Sequence, residues 1–206
     1  MRYPAYPKTP RLIDSHCTVT EKIDGTNALI AVYHQDDVIV EHADKIVAQV
    51  GEWCLFAGSR KRWIVPGDDN FGFAGWVQEN AQDLAELGEG RHYGEWWGAK
   101  IQRSYGLDHK RFSLFNIFRW HDVHHTNDPS TFAGESFRNT QEAPAPCHVV
   151  PVVAELTAFD TDAIAAMGDL VVNVGSFAAP GFDRPEGLIV HHGASRQPFK
   201  HVIDKD

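Results

Sequence analysis

No apolar run in this 206-residue chain approaches the roughly 18 residues that a membrane-crossing helix needs. The N-terminal stretch MRYPAYPKTPR likewise has no apolar core of the kind a secretory signal requires. A soluble, cytoplasmic protein that meets no membrane is therefore expected. Cysteine is scarce: Cys17, Cys54 and Cys147 lie far apart with no C-x-x-C pair, which argues against a disulfide framework and a thiolate zinc site. They read as small, buried apolar residues in a reducing compartment. Positive charge is also in deficit. The net charge of -9 argues against a protein that coats nucleic acid through a general excess of Lys and Arg, so any polyanion must meet a local patch. Two such patches exist, SRKRW (Arg60, Lys61, Arg62) and KIQRSYGLDHKR (Lys100, Arg103, Lys110, Arg111). Neither a G-x-G-x-x-G turn nor a Walker lysine is present, which removes the usual dinucleotide and P-loop readings.

What is present is enough apolar sequence, 43% of residues, for one well-cored domain. Alternating or β-branched runs fall at Cys17 to Glu21, Ala28 to Tyr33, Val38 to Glu41, His92 to Trp97, Arg111 to Arg119, Val149 to Glu155, Gly187 to His191 and Phe199 to Ile203. Between them a helix is expected from an Asp69 or Asn70 cap through Ala74, Val77, Ala81, Leu84 and Leu87 to Gly88, and a weaker one from about Asp160 to Asn173. The stretch from His121 to Cys147 is polar and Pro-containing, and reads as a long loop or insertion. Strands joined by short turns, with helices between groups of them, give an α+β domain built on antiparallel sheets.

The segment TEKIDGTNALI places Lys22 beside Asp24-Gly25, a pair suited to reversing the chain between two strands. Further along come HYGEWWG with Glu95, RFSLFNIFRW with Phe112 and Phe115, RPEGLIVHH with Glu186-Gly187, and QPFKHVIDKD with Lys200. Lysine, arginine cluster, acid, aromatic, acid and lysine thus follow in order.

That order and wording resemble the covalent nucleotidyltransferases, the superfamily of ATP-dependent ligases and messenger RNA capping enzymes. Within it they resemble the RNA ligase branch typified by the second RNA ligase of T-even phages, because EKIDGTN extends the lysine motif to Glu21, Thr26 and Asn27. The resemblance implies a nucleotidyltransferase (ATP-grasp-like) domain of antiparallel sheets with flanking helices. It implies an ATP-dependent RNA ligase in which the Lys22 amine attacks the α-phosphate of ATP and holds AMP, with Mg²⁺ or Mn²⁺ as cofactor. AMP would pass to a 5′-phosphate end, RNA rather than DNA, and a 3′-OH would displace it.

By the same resemblance Glu186 stands at the metal and phosphate side, Glu95 takes ribose hydroxyls, and Phe115 stacks on adenine in preference to Phe112. Glu21 and Asn27 join the nucleotide-binding set, Arg60 contacts phosphate with Arg62 as its alternative, and Lys200 neutralises phosphate charge. The sequence departs from the family where His201 and Val202 follow Lys200, leaving Lys205 as the only second lysine, where His191 and His192 close the EG strand, and where Asn116 replaces an aspartate. Residues 1–206 are expected to be a single adenylyltransferase domain with no C-terminal OB or RNA-binding domain, so that a partner protein or a structured RNA would supply the grip. The alternatives are another acceptor (DNA ends, a cap or a protein), a non-catalytic nucleotide-binding protein, or a metal-binding module at His121, His124 and His125.

Overall fold

The computed structural model describes residues 11, 13, 15–38, 40–122 and 141–203. Two consecutive strands, β1 (Cys17–Lys22) and β2 (Thr26–His34), are separated by three residues yet belong to different sheets. Later come β3 (Ile46–Val50), β4 (Trp53–Ser59), β5 (Trp63–Ile64), β6 (Gly90–Gly98), β7 (Lys110–Leu114), β8 (Trp120–His121), β9 (Gln141–Glu142), β10 (Cys147–Val149), β11 (Val152–Leu156), β12 (Gly187–His192) and β13 (Gln197–Val202). The first sheet has four antiparallel strands in the order β11-β1-β12-β13. The second runs β10-β7-β6-β2-β4-β3, with β5 paired to β4; β10 and β7 are parallel and the other pairs antiparallel. A mixed, mostly antiparallel α+β architecture is what the strand pattern predicted.

β2 is buried on both faces from Ala28 to Val32, which explains its nearly continuous apolar sequence. Ala28, Ile30 and Val32 meet Leu55, Ala57 and the helical segment α1 (Phe73–Glu79), while Ala31, Cys54 and Phe56 form a smaller cluster with Tyr33 and Trp63. β1 alternates instead. Cys17 and Val19 pack with Leu188 and Val190 against Ile164 and Val171 of α3 (Thr161–Val174). The opposite face carries Thr18, Thr20 and Lys22. Asp160 caps α3 by accepting from the amides of Asp162 at 2.9 Å and Ala163 at 3.1 Å. All three cysteines are buried and free.

Several expectations are corrected. The helix expected from Asp69 to Gly88 is broken into α1, a short turn α2 (Ala81–Leu84) and a 3₁₀ turn over Ala85–Leu87. The helix breaks at Asn80, whose backbone leaves the helical region (φ -107°, ψ 16°) while its side-chain Nδ2 donates to the Trp76 carbonyl at 2.8 Å. Asp69 still caps it, accepting from Ala74 N at 2.9 Å and Gly75 N at 3.2 Å. Of the strand expected over Val38 to Glu41, Ile39 lies outside the described residues; 3₁₀ turns occupy Gln35–Asp37, opened by the His34 ring accepting from Asp36 N, and Val40–Lys45, so Val40 and Glu41 are not in a strand. The Arg111 to Arg119 run ends as a strand at Leu114, and Val149 to Glu155 divides at Val150-Pro151 between the two sheets. Asp24-Gly25 makes no hairpin, and Gly25 does not have positive φ. What Gly25 provides is room, since a Cβ there would lie 2.6 Å from the Trp96 carbonyl oxygen and 2.8 Å from Trp97 Cβ.

Of the loop expected between His121 and Cys147, residues 123–140 lie outside the described residues, including His124 and His125, as does Lys205. Its described ends are the paired residues His121 and Glu142, and the start of β10. Among the described residues no helix is long and apolar enough to cross a membrane.

Candidate active site

The seam between the two sheets opens into a cleft of about 500 Å³, the size of a small-molecule site. Thr20 and Lys22 of β1, Ile189 and His191 of β12, and Pro198 of β13 form one wall. Asn27 of β2, Glu95 of β6, Arg60 after β4 and Phe115 after β7 form the other, and Gly25 and Thr26 lie where the chain crosses. Register accounts for these placements. Thr20 pairs with Ile189 and Thr18 with His191, so every second residue of β1 and β12 points into the cleft, while Asn27 pairs directly with Glu95 on the facing sheet.

Lys22 Nζ donates to Glu186 Oε2 at 2.5 Å, both side chains being about one-fifth exposed. Glu95 lies deeper. Burial pushes its carboxyl up to about 7; Lys22 and the Gly25 amide oppose that rise, whereas Glu186 and Asp24 add to it. A cation, two carboxylates and a half-buried aromatic thus converge on one cavity. Such an arrangement suits a nucleotide: an acceptor for sugar hydroxyls, a flat apolar face for a base, and a nucleophilic amine beside Arg60 for phosphates.

The sequence model of the RNA ligase family matches residues 15–202. The chain belongs to the RNA ligase family. Solved structures of similar fold include mutant forms of a Naegleria gruberi RNA ligase. In its apo form it is 19% identical with a TM-score of 0.56, over 93% of this chain and 50% of that one. In a form with ATP and Mn the figures are 17% and 0.53, over 93% and 50%. In a form with AMP and Mn they are 17% and 0.56, again over 93% and 50%. At these identities the likeness is one of fold. This RNA ligase family member spans about half the length of those relatives. No curated protein matches its sequence.

Of the residues singled out in the sequence of this RNA ligase family member, Lys22, Asn27, Arg60, Glu95 and Phe115 line the cleft, and Glu186 reaches Lys22 from its edge. Arg62 instead forms a two-point ion pair with Asp68, at 2.6 and 2.8 Å. Phe112 is wholly buried in the core among Phe73, Trp76 and Trp96. Glu21, expected in the nucleotide-binding set, also lines the cleft, while its carboxylate oxygens accept from Ser176 Oγ at 2.6 Å, Phe177 N at 2.7 Å and Ala178 N at 2.9 Å. Its carboxylate therefore fastens the segment after α3 to β1. Lys200 pairs with Ile189 and shares the cleft-side face of the sheet, but its side chain is exposed and outside the cleft wall.

Sequence reasoning missed Thr20, Ile189 and Pro198 as wall residues and left His191 without a place. Counting in twos from Lys22 and from Gly187 finds the first two and His191. Pro198 is found the same way, two residues before Lys200 and paired with His191, whereas Val150 carries no such signal, because it lies between β10 and β11 and is held by its amide donating to the Leu114 carbonyl at 3.0 Å. No group of three or more His, Cys, Asp or Glu side chains able to hold a metal occurs among the described residues.

Proposed function

We propose that this chain is an ATP-dependent RNA ligase that forms a covalent lysyl-AMP intermediate on Lys22. The observation that carries the reading is the Lys22 amine, held by Glu186 in a cleft whose other wall offers Glu95, Asn27, Arg60 and Phe115. Phe115 stacks on adenine and Glu95 accepts from ribose hydroxyls, which places the phosphates toward Lys22 and Arg60. Glu186 Oε2, 2.5 Å away, takes a proton from the Lys22 ammonium. The freed nitrogen lone pair attacks the α-phosphorus, the bond from that phosphorus to the oxygen bridging to the β-phosphate breaks, pyrophosphate leaves with that electron pair, and a second nitrogen proton passes to water as the phosphoramidate forms. Arg60 balances charge on the departing phosphates, and Lys200, exposed on the same sheet face, joins it once nucleotide is bound. AMP then passes to the 5′-phosphate of an RNA end, and a 3′-OH displaces it.

A divalent cation, Mg²⁺ or Mn²⁺, would supply charge neutralisation at the phosphates. The donor set fits a cation bound chiefly through the nucleotide, with Glu186 as its protein oxygen, because the described residues include no closed metal cage. The relatives solved with ATP or AMP and Mn support the same pairing. Three buried free thiols support a reducing, cytoplasmic setting. A partner protein or folded RNA supplies additional grip on the strand, in keeping with the acidic net charge of -9.

The test is incubation with α-labelled ATP and Mg²⁺ or Mn²⁺, then denaturing electrophoresis, beside Lys22→Ala and a lane with labelled GTP. Acid-labile label on the wild type alone, from ATP only, is expected. Folded, AMP-free protein that takes no label with either metal would overturn the reading. Transfer of the label to 5′-phosphorylated RNA, compared with the same sequence in DNA, then identifies the acceptor.

A further inference from the structure

The connection between β6 and β7 holds four non-glycine residues with positive φ: Lys100 (63°), Gln102 (43°), Ser104 (58°) and Tyr105 (51°). L-residues rarely adopt that region, and such strain persists only where surrounding contacts enforce it. Here the contacts converge on the two segments that carry Lys22 and Glu186. The Tyr105 hydroxyl accepts from Asp24 N at 2.7 Å, while its ring lies edge-on to Trp97 at 5.0 Å and against Phe182 at 4.5 Å. Arg103 Nε donates to Asp24 Oδ2 at 2.8 Å and Nη1 to the Arg184 carbonyl at 3.0 Å. Asp24 stands two residues after Lys22, and Arg184 two before Glu186.

The backbone ladder between β1 and β12 ends at the pair Lys22 and Gly187. Beyond that rung the two chains leave the sheet, and Arg103 spans the gap between them. We propose that Arg103 is a positioning residue: by joining Asp24 to the Arg184 carbonyl, it fixes how the Lys22 amine and the Glu186 carboxylate meet the nucleotide phosphates. The inference rests on the lysyl-AMP reading above. The Arg103 side chain is about one-third exposed and Asp24 about one-quarter. Such an ion pair adds little to global stability, so its removal leaves the protein folded. Attack geometry is far less forgiving, since a displacement near 1 Å costs on the order of 100-fold in rate.

The experiment is single-turnover formation of lysyl-AMP by the full chain, wild type beside Arg103→Met, Arg103→Lys, Asp24→Asn and the Arg103→Met/Asp24→Asn double variant, with melting temperatures for each. Arg103→Met is expected to lower the rate at saturating ATP by about 10- to 100-fold, with half-saturation by ATP and the melting temperature nearly unchanged. Arg103→Lys recovers part of the rate, and the double variant is no slower than the slower single one. An unchanged rate overturns the proposal, as does a loss seen only in ATP half-saturation. A defect confined to sealing of RNA, with label formation intact, overturns it in favour of a nucleic-acid contact. Should Arg103→Met not fold, Asp24→Asn breaks the same ion pair with an isostere and is read by the same criteria. Wild-type protein that takes no label defeats the ligase reading itself, and the positioning role with it. Labelled wild type with an indifferent Arg103→Met defeats the positioning role alone.

Discussion

Lys22 Nζ and Glu186 Oε2 lie 2.5 Å apart beside the last rung of the β1 and β12 ladder, which pairs Lys22 with Gly187. Glu186→Gln preserves the shape and removes the charge. Lysyl-AMP formation, followed by rapid quench with α-labelled ATP, is expected to slow by on the order of 100-fold, with the fold intact by circular dichroism.

Glu95 gives stability a pH dependence of definite sign. Burial raises its carboxyl to about 7, against an ordinary value of 4.5 in the unfolded chain. The folded state therefore holds this proton more tightly than the unfolded state, and stability falls as pH rises between those values, then levels off. Glu95→Gln flattens this limb and is the more stable form at pH 8, by about 1–3 kcal/mol in urea unfolding. On the proposed nucleotide pose the same variant is expected to bind ATP less tightly in isothermal titration, since the carboxylate assigned to the ribose is lost.

Glu21 predicts the opposite pattern, a structural loss. Glu21→Ala removes the acceptor of two backbone amides and one hydroxyl, so the Ser176–Ala178 segment loses its attachment to β1. A destabilisation of about 2–4 kcal/mol is expected by chemical denaturation, together with faster amide exchange at Phe177 and Ala178.

Gly25→Ala forces a methyl group to within 2.6 Å of the Trp96 carbonyl oxygen and 2.9 Å of Glu95 Cγ. Both neighbours sit on β6, a central strand that cannot yield without moving Glu95. The variant is expected to lose about 1–3 kcal/mol and to bind ATP more weakly by isothermal titration. Unaltered binding would show that the crossing segment relaxes freely.

The two phenylalanines separate core from site. Phe112→Ala opens a cavity beneath Phe73 and Trp96 and is expected to cost about 3–5 kcal/mol. Phe115→Ala, at the cleft wall, is expected to leave the melting temperature within a few degrees while raising half-saturation by ATP roughly tenfold. Thermal melts and ATP titration of the pair check both.

β1, β6 and β12 were legible because their residue types alternate with the pleat, and β2 because its buried run of apolar and β-branched residues follows directly on the Asp24-Gly25 break. β4 was not: WCLFAGS is buried from Cys54 to Gly58, so the two-residue period disappears. The break at Asn80 was hidden because the apolar spacing of Ala74, Val77, Ala81 and Leu84 continues through it. In the site, Lys22, Glu95 and Glu186 stood out by residue type, but their mutual approach did not. Arg103 read only as part of a basic run, since its partners lie 79 and 81 residues away and no local pattern announces them. Glu21 sits beside Lys22 in sequence, yet alternation along β1 turns its side chain to the opposite face, where its partners are 155 to 157 residues distant.

Because β1 and β2 part company at Lys22, the cleft is bounded by two sheets whose apolar interiors are distinct, one beneath α3 and one around α1. A nucleotide bound as proposed would touch both at once, because Glu95 and Phe115 line one side and Lys22 and Ile189 the other. Occupancy therefore acts as a strut. The free chain passes between its halves at the short Ile23-Asp24-Gly25 crossing and again at Val150-Pro151, and AMP carried on Lys22, on the proposed mechanism, would tie the halves together across the cleft as well. On the proposed mechanism the adenylylated protein is expected to be a stiffer body than the one that first meets ATP.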